Sequence, residues 1–218
     1  MKAVIVADIV DYTLLTKGEA DIIIKEVRAM LNELNGIRSN LVRDILIKRG
    51  DNIQFELENP KEALKVALIL KTVVNKIVFK NENKSSPEAD IRIAIGIGNI
   101  EAERESVDES SGEAYITSGR TVDKMKKSKR MIAVKMKNKE IEAELETEFR
   151  LLEVIMSGWL VTSAEVLYLT LLGQDAKQIA NKFGVTVSAI NQRKKTAGWS
   201  GIEALLERFS DLIKREGL

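Results

Sequence analysis

Two acids, Asp8 and Asp51, are the residues best suited to chemistry, because each stands at the end of a short apolar run. Asp8 closes AVIVAD, where Val4, Ile5 and Val6 favour a buried strand. Asp51 follows Arg49-Gly50 inside ILIKRGDNIQF, which reads as a hairpin. If that hairpin pairs beside the first strand, two hard oxygen ligands converge at one end of a sheet. With the Ile9 carbonyl as a third donor, this is a set for Mg²⁺ or Mn²⁺ that leaves positions open to water and phosphate. The amides from Val10 to Thr13 would then cradle the phosphate, which brings Asp11, Tyr12 and Thr13 into the candidate site. In the competing reading both acids cap turns.

A second group lies near the other end of the chain. Ser188, Asn191, Gln192 and Lys195 are spaced by three, four and seven, so one helix face would carry all four. Asn and Gln can read adenine edges in a major groove, while Thr186, Arg193 and Lys194 would hold phosphates. Between Gly173 and Trp199 five basic residues stand against the single acid Asp175. The whole chain has 34 basic and 33 acidic residues in 218, a net charge of +1, so affinity for nucleic acid has to come from such a local asymmetry.

Composition removes several chemistries. There is no cysteine and no histidine, which excludes disulfides, thiolate zinc sites, cysteine nucleophiles and the usual general base. Hydrophobic residues at 44% are enough for real cores. No uncharged run is long enough to span a bilayer, and the apolar N-terminus meets Asp8 too soon for a signal peptide, so a cytoplasmic protein without membrane contact is expected.

The elements that position these residues follow from periodicity. Gly18 to Asn35 reads as an amphipathic helix ended by Asn35-Gly36, and Pro60 opens a second helix running to Ile77. IRIAIGIG, Ile91 to Gly98, is a further strand. The order strand, helix, strand, strand, helix, strand is the ferredoxin-like arrangement, a mainly antiparallel sheet with helices on one face. Glu101 to Glu113 reads as a loop, Thr117 to Ser128 as a helix, Met131 to Met136 as a strand, and Lys139 to Trp159 as a connector or dimerisation helix. Three short helices follow: Ser163 to Leu172, Ala176 to Phe183 and Val187 to Thr196. Gly184 supplies the tight turn, and Ile179, Ala180, Phe183, Val185 and Ile190 the contacts of a helix-turn-helix. An amphipathic tail runs from Ile202 to Ile213.

DIVDYT followed by GDNIQF resembles the two acidic motifs of the class III nucleotide cyclases. IRIAIGIG and Gly112 to Arg120, GEAYITSGR, resemble the next strand and helix opening of that superfamily. The closer likeness is to the SatD family, through the acid-rich first strand, the GD hairpin, R-x-x-I-G-I-G and G-x-A-Y with a nearby Arg. The resemblance implies a transition-state Asn four residues before an Arg. Arg120 matches the Arg and remains a candidate phosphate ligand, but Ile116 stands in the Asn position and cannot donate that hydrogen bond. The purine-selecting Lys would fall at Ile47, with Lys48 one residue out, and Glu109 lies near the second purine-reading position. The last third resembles the tri-helical domains of sigma-factor-like and response-regulator-type transcription factors.

The expectation is therefore an α+β protein in three parts. Residues 1–138 form a ferredoxin-like, cyclase-like antiparallel sheet domain, 139–159 a connector helix, and 160–218 an all-α helix-turn-helix domain. The expected function is a homodimeric transcriptional regulator binding double-stranded DNA, whose degenerate cyclase-like domain takes a nucleotide or divalent metal. The rival is a Mg²⁺-dependent nucleotide-processing enzyme localised by the helix-turn-helix, and Ile116 weighs against it.

Overall fold

The computed structural model describes residues 1–39, 41–43, 46–48, 50–79, 85–102 and 111–216, with only the backbone described at Lys48, Glu101, Ala102 and Ser111. Strand β1 (Lys2–Ile9) is the centre of a five-stranded sheet. It pairs antiparallel with β3 (Asn52–Leu57) on one side and β4 (Ile91–Gly98) on the other. β2 (Leu46–Lys48) pairs antiparallel with β3 at one edge. β7 (Ile132–Lys135) adds parallel to β4 at the other, giving the order β2-β3-β1-β4-β7. A two-stranded piece, β5 (Ile100–Ala102) with β6 (Ser111–Gly112), stands apart.

Alternation along β1 sorts the layers. Ala3, Ile5, Ala7 and Ile9 share one apolar cluster with α1 (Lys17–Ile37) and α2 (Ala63–Asn75). Val4 and Val6 face α3 (Glu113–Ser128) on the opposite side, together with Ala94, Ala114, Val122, Met125 and Ala133. The α3 layer sits close because β4 has no side chain there: a Cβ built on Gly96 would lie 2.2 Å from the Ala114 carbonyl oxygen. Both ends of α3 are pinned by charge. Tyr115 donates to Glu56 Oε2 at 2.7 Å, and Lys126 pairs with Asp8. Glu56 is fully buried and also meets Lys2 at 3.1 Å and Arg43 at 2.9 Å.

Several boundaries differ from the periodicity reading, three of them for identifiable reasons. α1 runs past Asn35 to Ile37, because the Asn35 side chain does not stop the helix. It ties down the following loop through two 2.8 Å bonds with the backbone of Val42. α3 begins at Glu113, four residues early, since Gly112 adopts φ 143 and starts the helix directly. Pro60 opens a 3-10 turn, Pro60–Glu62, before α2 proper.

α2 is buried on all sides but Lys65, as it lies between the sheet and the helices that follow α4 (Lys139–Ser157). Those are α5 (Val161–Leu171), α6 (Ala176–Phe183), α7 (Val187–Thr196) and α8 (Trp199–Arg215). Leu167, Leu171, Ala197, Phe209 and Leu212 belong to the same apolar cluster as β1 and α2, so one core passes through residue 160 without a break. A smaller cluster, Val166, Leu169, Ile179, Ala180 and Ile190, joins α5, α6 and α7. No helix among the described residues is long and apolar enough to cross a membrane.

Candidate functional site

β1 delivers Asp8 to the sheet end as its spacing implies, opposite Asn52 on β3 and Arg92 on β4. Asp8 is only 3% exposed. Arg92 Nη1 donates to Oδ2 at 3.0 Å, and Arg92 Nε donates to the Arg130 carbonyl at 3.0 Å, which fixes the guanidinium. Lys126 Nζ is 2.6 Å from Oδ1 as an ion pair, although Oδ1 has no well-aligned hydrogen bond. Both carboxylate oxygens are thus engaged by cations of the protein itself. Asp51 approaches through its backbone, its carbonyl accepting from the Ile9 amide at 3.1 Å. No cluster of three metal-ligating side chains exists among the described residues. A divalent ion held by Asp8, Asp51 and the Ile9 carbonyl would have to displace Lys126 and accept Arg92 as a neighbour.

The segment after β1 turns sharply. Asp11 takes the left-handed conformation, φ 52 and ψ 32, and its carbonyl accepts from the Leu14 amide at 2.8 Å. Asp11 and Thr13 are exposed, while Tyr12 folds over the hairpin so closely that a Cβ on Gly50 would meet its hydroxyl at 2.3 Å. Arg120 is elsewhere. It is exposed on α3 and lines a cleft of about 360 Å³ with Lys124, Lys135 and Lys139. Asp8, Asp11, Tyr12 and Thr13 are absent from that lining. Ile116, one turn before Arg120, is 50% exposed. Ile47 packs half-buried against the main core; Glu109 and the Lys48 side chain lie outside the described residues.

Acids of α4 close the outer side of β7 beside this cleft. Glu153 Oε1 accepts from the Met131 and Ile132 amides at 2.6 and 3.0 Å, and Glu142 Oε2 accepts from the Met136 amide at 3.0 Å. Arg130 bonds to Glu153, to Glu146 and to the Ile132 carbonyl. An exposed strand edge is thereby covered. For Glu142, burial alone raises the pKa, but hydrogen bonds from Lys135, Met136 and Lys139 outweigh it and hold the carboxyl below its ordinary value. Burial likewise opposes and Arg130 outweighs at Glu146, which is also lowered, while Arg130 itself is raised by its two glutamates against the effect of burial.

The α6 and α7 pair is built as local chemistry dictates. Asp175 and Gln178 form a reciprocal cap, each side chain accepting from the other's backbone at 2.8 and 2.9 Å. Gly184 turns the chain at φ 64, and the Thr186 side chain accepts from the Ala189 amide at 3.1 Å to start α7. Ile190 points into the small cluster. Ser188, Asn191, Gln192 and Lys195 are all exposed, as are Lys177 and Lys182 of α6. Arg193 and Lys194 are half-buried. Lys194 Nζ lies 5.0 Å from the centroid of the Trp199 ring, and Arg193 is close enough to Glu165 to lower its pKa, though burial dominates and leaves that carboxyl raised.

Arg92, which belongs to the R-x-x-I-G-I-G motif, and Lys126 hold Asp8, a role that no motif assigns to either. Arg92 carries a readable signal, as the single charged residue in IRIAIGIG, directly opposite Asp8. Lys126 carries none, being one of several lysines in KMKKSK. Lys177 and Lys182 counted toward the local charge but were not assigned a contact.

No family model matches the sequence, and no curated protein matches it. Among solved structures, one described as a bacterial light-regulated adenylyl cyclase overlaps 61% of this chain and 74% of its own, at 13% identity and a TM-score of 0.41. At that score the overlap fixes neither a shared active site nor a shared reaction.

Proposed function

We propose that this protein is a DNA-binding transcriptional regulator in which a helix-turn-helix, α6 and α7, is carried on a degenerate cyclase-like sheet. The observation that carries the reading is the division of α7. Its one buried residue, Ile190, holds the helix to α5 and α6, and Ser188, Asn191, Gln192 and Lys195 form an outward polar face with three hydrogen-bonding types and a cation. The strand order β2-β3-β1-β4, with α1 and α2 on one face, supports a ferredoxin-like core of the kind found in cyclases and in SatD-like proteins. The test is fluorescence anisotropy of the full chain on a duplex library over a salt series. Salt-dependent binding with a preferred sequence is expected; absence of binding to any duplex at low salt removes the reading.

The rival, a nucleotide-processing enzyme, draws less support, since Asp8 is engaged by Arg92 and Lys126 and Ile116 is an exposed aliphatic. A nucleotide ligand without turnover remains part of the proposal. Arg120 and Lys124 are exposed cations without an acidic partner among the described residues, and the cleft they line suits a phosphate. A homodimer is also proposed, because a helix-turn-helix commonly reads two half-sites. Leu151 and Val154 stand 63% and 71% exposed on the outer side of α4, as a helix paired with a second copy requires.

A further inference from the structure

A second cleft, of about 600 Å³, lies where the start of α2, the end of α5 and α8 meet. Its size is that of a small-molecule site. One wall carries Lys61 and Lys65, and the other carries Glu203, Glu207 and Asp211, with the Trp199 indole beside them. Glu62 also faces the cleft, but Arg38 neutralises it at 2.6 Å. No ion pair crosses the cleft among the described residues, so the two walls face one another with their charges unspent.

The three acids of the α8 wall are all exposed to solvent. Glu203, Glu207 and Asp211 follow one another at intervals of four, which stacks three like charges on one stripe and destabilises a helix. With Glu62 matched by Arg38, two lysines against three carboxylates leave the two walls at a net charge of −1. The complementary guest has one anionic group for the lysines, two cationic groups for the acids, and a flat or compact cation able to lie against an indole.

We propose that this cleft binds a free basic amino acid, L-arginine or L-lysine. The carboxylate meets Lys61 and Lys65, the ammonium and side-chain cation meet Glu203, Glu207 and Asp211, and the side-chain cation lies along Trp199. Trp199 also carries Lys194 of α7 over its ring. A ligand cation at the same ring repels Lys194 and turns it outward, where it becomes available to a phosphate. This coupling rests on the DNA-binding reading; the ligand site does not.

Isothermal titration of the full chain with L-arginine and L-lysine tests the site without DNA. Saturable millimolar or tighter binding of at least one is expected. The corresponding decarboxylated amines, agmatine and cadaverine, should bind about tenfold more weakly, as should the Lys65→Ala and Glu207→Gln variants towards the amino acid, each losing one charge contact. Both substitutions are on the surface, and an unchanged circular dichroism spectrum keeps the comparison valid. No saturable heat with either amino acid, or binding of the amines as tight as that of the amino acids, overturns the proposal. In a separate arm, the ligand should tighten duplex binding in the wild type and not in Lys194→Ala. Ligand binding without any duplex binding defeats the regulator reading and leaves the amino-acid site standing.

Discussion

Lys126 Nζ and Asp8 Oδ1 are 2.6 Å apart, so a lysine from α3 reaches the strand-end carboxylate that the spacing of the two acidic motifs would have given to a metal. Arg92 takes the other oxygen from β4. The triad joins β1, β4 and α3 at one point, and its energetics differ from those of a vacant two-carboxylate site. Two close acids repel, and removing one relieves strain. Here, removal of Asp8 strands a largely buried guanidinium. Asp8→Asn should therefore destabilise the protein by about 2–4 kcal/mol. Lys126→Ala should cost under about 1 kcal/mol, because Lys126 is half-exposed. Urea denaturation measures both. Millimolar Mg²⁺ or Mn²⁺ should leave the melting temperature of the wild type unchanged; a cation-dependent rise that Asp8→Asn abolishes would show that the triad opens to metal.

Gly96 and Gly119 make an internal control for the packing of α3. Gly96→Ala forces a methyl against the Ala114 carbonyl at 2.2 Å, a backbone neighbour that cannot rotate away, and should destabilise by about 1–3 kcal/mol. Gly119 lies within α3 with nothing within 4 Å of its would-be Cβ. Gly119→Ala should stabilise by about 0.5–1 kcal/mol through helix propensity alone. Thermal melts of the two variants should move in opposite directions.

The elements were legible where one face met solvent and one met a core. β4, α6 and α7 occupy the spans their periodicity implies, and the cap residues Asp175 and Thr186 stand where helix chemistry puts them. α2 was legible as a helix but not as a helix buried all round, since no local pattern reveals that α5 and α8 cover its outer side. The same burial hid the continuity of the core across residue 160. Of the candidate site, Asp8 at a strand end followed from local pattern. Arg92 could have been read from an otherwise apolar strand, but Lys126 depends on the angle at which α3 crosses the sheet. Arg120, on the same helix, lines a cleft beside Lys124, a placement likewise set by how α3 packs on the sheet.

Acid stability should divide the glutamates of α4. Glu142 and Glu146 have folded pKa values below the ordinary one, so their contribution is full above the unfolded pKa of about 4.5 and is lost as pH falls through the lowered folded values. Glu148 behaves oppositely. Burial, then the neighbouring Glu144 charge, raises its pKa, and its Oε2 is buried without a hydrogen-bond partner. Its ionised form weakens the fold at neutral pH, and the penalty disappears as pH falls through the raised value. Glu148→Gln should therefore raise stability at pH 7 and be neutral below the ordinary glutamate value, whereas Glu142→Gln should lower stability at pH 7 and lose its effect only as pH falls through the lowered folded value. Denaturation curves across that range distinguish them by sign.

The α7 face makes the most discriminating prediction, because exposure separates residues that share one basic run. Gln192 and Asn191 are exposed on the outward face, so Gln192→Ala or Asn191→Ala should cost about 1–3 kcal/mol on a preferred duplex and little on others. Lys195 and Lys182 are exposed cations, and replacing either with Ala should weaken binding on all sequences alike and reduce the salt slope by about one. Lys194 differs, because in the free protein its ammonium is held over Trp199. Lys194→Ala should flatten the salt slope less than Lys195→Ala, and Trp199→Leu should bring Lys194 into play and steepen it. Because the helices share their core with the sheet, these measurements belong on the full chain, with a melting curve for each variant. Equal effects of Gln192→Ala and Lys195→Ala on every duplex would mean that α7 contacts only the phosphate backbone and reads no base.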